Sequence, residues 1–169
     1  MKRWRLALVA GGLLALGAAQ GAAQACTTPE QRQFDFWIGE WDAYDAGKPD
    51  SSVARLRVER MVGGCALREV YQGKSGLTGE SFSAYDAARG VWHQSWVTNR
   101  GQLLLLDGNL AGSRMVLSGP YPLPNRSPGI IRGVWYVVPG GVRETAETSE
   151  DGGKTWKPLF DLVFRPRAP

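Results

Sequence analysis

The stretch QFDFWIGEWDAYDA, Gln33 to Ala46, changes its periodicity at Gly39. Before that glycine, Phe34, Trp37 and Ile38 fall at i, i+3 and i+4, the spacing of one helical face. Upstream, Thr28, Pro29 and Gln31 form a helix-start pattern: a hydroxyl at the N-cap, proline at the first helical position, and an amide three residues past the cap. Gly39 can end such a helix without steric cost. The spacing therefore predicts a helix of two to three turns over Thr28 to Ile38, apolar on one side, leading into a first strand at Glu40.

Beyond Gly39 helical spacing disappears, and short β-type runs follow one another between turn residues. Strands are expected near 40–46, 52–61, 65–73, 78–85, 91–98, 102–107, 114–118, 130–138, 142–148 and 155–165. The intervening turns include VGG, KSG, DAARG, TNRG, DGNLAG, PGG and SEDGG, nearly all with the glycine that tight reversals need. About ten sequential strands without helical crossovers must be antiparallel neighbours. That many strands cannot leave two apolar edges exposed, so an all-β, up-and-down barrel is the expected architecture, with a sandwich as the alternative. Ala54, Leu56 and Val58 on one side of the second run, against Arg55, Arg57 and Glu59 on the other, point to one dry face and one wet one.

The first 25 residues read as an export signal: a basic MKRWR, an apolar run of 14 from Leu6 to Ala19, and an A-x-A site at Ala23 to Ala25. The run is too short for a transmembrane helix, and the 144 residues that follow fit one barrel domain from Cys26 to Pro169. Formal net charge over the whole chain is +4, with 20 basic residues. Three of these, Lys2, Arg3 and Arg5, leave with the signal, so 17 basic residues face 16 acidic ones. Without a basic cluster, nucleic acid is an unsuitable partner. Cys26 and Cys65 are the two cysteines, and in an oxidising compartment such a pair reads as a disulfide. The alternative is a lipid anchor on Cys26, although Ala23 stands where a lipoprotein signal carries leucine.

SEDGGKTW, Ser149 to Trp156, resembles the Asp-box hairpin of sialidases and other secreted β proteins. Asp151 would bond turn amides, Gly153 would take positive φ, and Trp156 would lie back across the hairpin, a structural role. GEW, Gly39 to Trp41, resembles the G-x-W of lipocalins, in which the tryptophan fills the closed end. That resemblance implies an arginine from the last strand, Arg165, covering the Trp41 ring.

Trp92, Gln94 and Trp96 share one side of a strand, so two indoles and one amide point the same way. Together with Trp135 and Tyr121 they are the candidate ligand-contact residues of an apolar cavity with a few polar anchors. The proline-rich GPYPLPNRSPG, residues 119–129, is expected to be a stiff loop at the rim, with Tyr121, Leu123 and Arg126 near the mouth. His93, the only histidine, lies on the opposite side from Trp92 and lacks the companions a zinc site needs. A haem needs only one protein ligand and stands as a third reading; otherwise no cofactor is expected. No nucleophile elbow, P-loop or dinucleotide fingerprint is present, and a serine nucleophile would have only His93 as base, so the sequence points away from catalysis.

CTTPEQRQFDFWIGEWD, MVGGCALREVYQG, FSAYDAARGVWHQSW and TSEDGGKTW, in that order, resemble an uncharacterised family of secreted bacterial proteins that carry a domain of unknown function with a lipocalin-like (calycin) barrel. The resemblance implies that Cys26 and Cys65 are partners. It supplies no activity and no catalytic residue. ETAET, Glu144 to Thr148, departs from the pattern, where a bulky residue is usual, which implies a roomier interior. The expectation is an exported barrel, periplasmic or extracellular, that binds a small, largely apolar molecule. An interaction module that docks a protein or glycan through its rim or outer surface is the alternative.

Overall fold

A computed structural model describes residues 26–123 and 127–167; the expected export signal and Arg126 lie outside them. Ten antiparallel strands close into a barrel: β1 (Gly39–Asp45), β2 (Lys48–Met61), β3 (Ala66–Gly73), β4 (Thr78–Asp86), β5 (Val91–Thr98), β6 (Leu103–Ala111), β7 (Arg114–Pro122), β8 (Pro128–Val138), β9 (Gly141–Ser149) and β10 (Lys157–Pro166). Each strand pairs with its neighbour in sequence, and β1 pairs with β10 from Trp41 opposite Pro166 to Asp45 opposite Leu162. No edge strand is left, which is the solution expected for so many sequential strands. Ala54, Leu56 and Val58 of β2 face the interior while Arg55 and Arg57 are exposed.

Strands β2, β6, β7 and β8 run further than the turn chemistry suggests. DGNLAG does not form a loop, because Asp107 to Ala111 pair with Arg114 to Ser118 and only two residues make the reversal. Gly108 permits this: a Cβ there would lie 2.0 Å from the Val116 carbonyl oxygen. Pro120, Pro122 and Pro128 also enter strands, with Pro120 opposite Ile130 and Pro122 opposite Pro128. Pairing with β6 stops at Ser118, and proline is tolerated where a strand has lost its second partner.

The expected helix is instead two separate 3₁₀ turns, Glu30–Arg32 and Asp35–Trp37. Half of the start signature survives, since the Gln31 side-chain oxygen accepts a hydrogen bond from the Thr28 amide at 3.1 Å, while Pro29 rather than Thr28 caps the first turn. A segment this short has little helical stability of its own, and packing decides its shape. The break lets Phe34 and Trp37 both reach the core, where they are fully buried.

Hairpins of an up-and-down barrel alternate between its ends. The β2–β3, β4–β5, β6–β7 and β8–β9 turns share one end with residues 26–38, which close it. A disulfide joins Cys26 to Cys65 in the β2–β3 turn, and Arg32 donates to the carbonyls of Gly64 and Cys26. A thioether lipid on Cys26 would need the same sulfur. By loop entropy, a crosslink spanning 39 positions contributes about 4 kcal/mol. Replacing both cysteines by serine is expected to lower the free energy of denaturant unfolding by about that amount, with the barrel's circular dichroism retained at low denaturant.

Candidate functional site

The closed end is built from rings. Trp37 packs edge-on against Phe164 at 4.6 Å between centroids and stacks on Trp41 at 5.8 Å. The Trp41 indole N–H donates to the Trp37 carbonyl at 3.1 Å, and its ring lies against Gly39, where a Cβ would be 2.9 Å away. Phe34 meets Trp92 and Trp135 edge-on, at 5.7 and 5.6 Å. Trp92 belongs to this plug and not to a ligand site: its indole N–H is shared between the Glu30 carbonyl and the Gln33 side chain. Arg165 does not cover Trp41. It stands opposite Asp42, on the outer parity, and lies 4.6 Å over the Tyr44 ring, whereas Trp41 faces inward.

Above the plug lies a cavity of about 380 Å³. Of the five candidate contact residues, Gln94, Trp96, Trp135 and Tyr121 line it. Leu56, Leu104, Leu106, Ile131 and Ala146 supply much of the apolar wall. The rings lie along the wall rather than across the lumen. The Trp96 indole covers Gly79 and the Trp135 indole covers Gly133, and a Cβ at either glycine would stand 2.6 Å from the ring. Two glycines thus hold the space open.

The mouth is at the opposite end from the plug, where Leu77, Gln102 and Tyr121 come from the hairpin ends. A register shift between Pro158 and Phe160 turns consecutive residues Leu159 and Phe160 toward the cavity, both partly open to solvent at 45% and 37% exposure. The Asp-box hairpin joins β9 to β10 at this rim. Asp151 accepts from the amides of Lys154 and Thr155 and from the Thr155 hydroxyl, which holds its carboxyl down at about 2. The Ser149 hydroxyl binds the Gly153 amide, and Trp156 returns its N–H to the Gly153 carbonyl under the Arg132 guanidinium, 3.9 Å from the ring. The motif is a turn staple that fixes one side of the mouth.

The interior also carries two carboxyls that residue patterning alone did not bring out. Glu69 on β3 is buried, and its carboxyl accepts one hydrogen bond, from Ser81 at 2.9 Å. Loss of water pushes its pKa up to about 7, against the small opposing effect of Ser81. Glu144 on β9 is half-buried by solvent exposure and lines the cavity too, and loss of water, then the charge of Glu69, push its pKa well above the ordinary range. Tyr71, between them electrostatically, is raised by burial and by both acids. Beside Glu69, Gln94 donates to Ser83 at 3.2 Å, so one wall is a polar strip facing an apolar one. The Trp135 indole N–H, at 3% residue exposure, has no hydrogen-bond partner of ordinary geometry, although it lies near enough to Glu144 to favour its ionised form slightly.

The signal for both acids was in the alternation. Glu69 shares parity with Leu67 and Tyr71, and Glu144 with Val142 and Ala146, all inward. His93 faces outward, its Nδ1 2.8 Å from Asp107 and its Nε2 3.1 Å from the Ser95 hydroxyl. A haem held by His93 would therefore sit on the outer wall and not in the barrel. Among the described residues no group of three or more His, Cys, Asp or Glu side chains is placed to hold a metal ion, and no helix is long and apolar enough to cross a membrane.

No family model matches the chain, and no curated protein matches it. The likeness to a secreted barrel family thus rests on the quoted motifs.

Glu69 gives the site a pH signature. Its folded pKa of about 7 stands above the ordinary 4.5, so between those values the folded state holds more protons than the unfolded one. Stability from this group is full below about pH 4.5 and falls as pH rises toward 7, by about 3 kcal/mol in all. Glu69→Gln, which keeps an acceptor for Ser81, is expected to raise the unfolding temperature at pH 8 and leave it nearly unchanged at pH 4. Equal shifts at both pH values would contradict an uncompensated interior carboxyl.

Proposed function

We propose that the protein is an exported, lipocalin-like carrier that holds a small, largely apolar molecule inside its barrel without transforming it. The observation that carries this reading is the cavity itself: about 380 Å³, walled by Leu104, Leu106, Ile131 and the faces of Trp96 and Trp135, and reached through a mouth with exposed apolar side chains. Small-molecule sites have this make-up, mostly apolar walls with a few polar groups that fix orientation. The disulfide and the export-type leader support an oxidising compartment outside the cytoplasm, the periplasm or the exterior.

Membership in the secreted barrel family is part of the same proposal, supported by its four ordered motifs and by a cysteine pairing of the kind that resemblance implies. The second reading, docking through the outer surface, is favoured by one feature. Phe82, Val97, Leu103 and Leu105 on the outer wall of β4, β5 and β6 are all more than 40% exposed and adjacent by register, since Val97 lies opposite Leu103 and Ser95 opposite both Phe82 and Leu105.

Solvent extraction of protein purified from its own host, followed by mass spectrometry, is expected to release one apolar compound in near-stoichiometric amount. Leu105→Glu is expected to leave that yield unchanged, because Leu105 faces outward. An empty extract, together with loss of a partner in Leu105→Glu, would instead support the docking module.

A further inference from the structure

We infer, resting on the carrier reading, that the occupant is an amphiphilic monocation: an apolar body in the cavity with one protonated nitrogen between Glu69 and Glu144. β3 and β9 are separated by β2, β1 and β10 on one side and by β4 to β8 on the other, so the two carboxyls reach into the lumen from facing walls. Each acts on Tyr71, and Glu69 acts on Glu144, so all three share one electrostatic neighbourhood. Among the described residues, no lysine, arginine or histidine lines the cavity. The arginines instead pair on the outside, as Arg68 does with Glu80, Arg132 with Glu147 and Arg143 with Asp161.

Buried carboxylates are ordinarily paired or fully hydrogen-bonded. Here Glu69 has one hydroxyl donor, and Glu144 has beside it the Trp135 indole N–H, which makes no bond of ordinary geometry. The unpartnered Trp135 N–H beside Glu144 marks the same spot as incomplete. A ligand without a donor would leave the acids unsatisfied, and an anion would be repelled as soon as either acid ionises. A divalent metal would find only two carboxyls, because among the described residues no third His, Cys, Asp or Glu joins them. A protonated amine supplies charge and several N–H donors to both acids at once, and the apolar walls accept its carbon body.

The groups that face Glu69 set the pH behaviour. They are Tyr71 on its own strand, Ser81 from β4, Gln94 from β5, Glu144 from β9 and the apolar Leu56 and Val58 from β2, with Tyr121 of β7 further along the cavity. An alkylamine stays protonated below about pH 10, so between pH 5 and 8 the change of state lies with the carboxyls, Glu69 with its pKa of about 7 first among them. Preference for a cation is therefore absent when they are protonated and full when they are ionised.

Decylamine, decanol and decanoate share one chain length and differ in the head group, and tryptophan fluorescence reports their binding to the intact barrel. At pH 8 decylamine is expected to bind about tenfold or more tightly than decanol, the worth of a charge-assisted hydrogen bond, with decanoate weakest. The gap should close at pH 5, in the variant with both Glu69→Gln and Glu144→Gln, and in part in Glu69→Gln alone should the double variant fail to fold. Equal binding of amine and alcohol at pH 8, or tighter binding of decanoate, overturns the cation inference and leaves the apolar-cavity reading standing. Binding of none of the three overturns both.

Discussion

The pairing of β1 with β10 is the constraint from which the rest follows. Once Trp41 to Asp45 bond to Leu162 to Pro166, the sheet has an inside, and every second residue of every strand must go into it. One end of that interior is filled by a segment that precedes the first strand. Trp37 enters between Trp41 and Phe164, and Phe34 between Trp92 and Trp135. The disulfide at Cys26 ties this segment to the β2–β3 turn, so the plug cannot leave while the chain is oxidised.

Strand parity puts a side chain inside but does not say that it fills the space. Toward the mouth, Trp96 and Trp135 lie flat over Gly79 and Gly133, which are too small to push the rings inward. The same barrel is therefore solid at one end and hollow at the other. Two glutamates stand in the hollow part at an energetic cost that core packing does not require. Residues whose burial destabilises the fold yet face a cavity are common at functional positions, where a bound molecule offsets the cost.

Much of the fold was legible in the residues because alternation and turn glycines act locally. The second run showed its dry and wet sides outright, and the Ser149 to Trp156 hairpin formed from its own side chains. Gly108 and the prolines at 120, 122 and 128 were misleading, because they carry turn chemistry in positions that pairing turned into strand. Phe34, Trp37 and Ile38 marked the right apolar face, but packing split the helix into two 3₁₀ turns. The site was only partly legible, for a geometric reason. A two-residue period gives the face of a strand and not the depth along the barrel. Trp92 and Trp96 share a face, yet four residues at about 3.3 Å each separate the plug from the cavity wall. Arg165 failed on parity itself, since it stands on the outer side beside Asp42. Glu69 and Glu144 were visible as inward positions, but an acid in a strand is read first as a wet-face residue.

The most direct test of a barrel solid below and hollow above is the electron density of its interior in a high-resolution crystal structure of the oxidised protein. The account predicts Phe34, Trp37 and Trp92 packed at the closed end, and above them an open chamber bounded by the flat faces of Trp96 and Trp135 with the Glu69 and Glu144 carboxyls facing into it. Density showing Trp96, Trp135 and Tyr71 collapsed across the lumen, with both glutamates turned out to solvent, would contradict it.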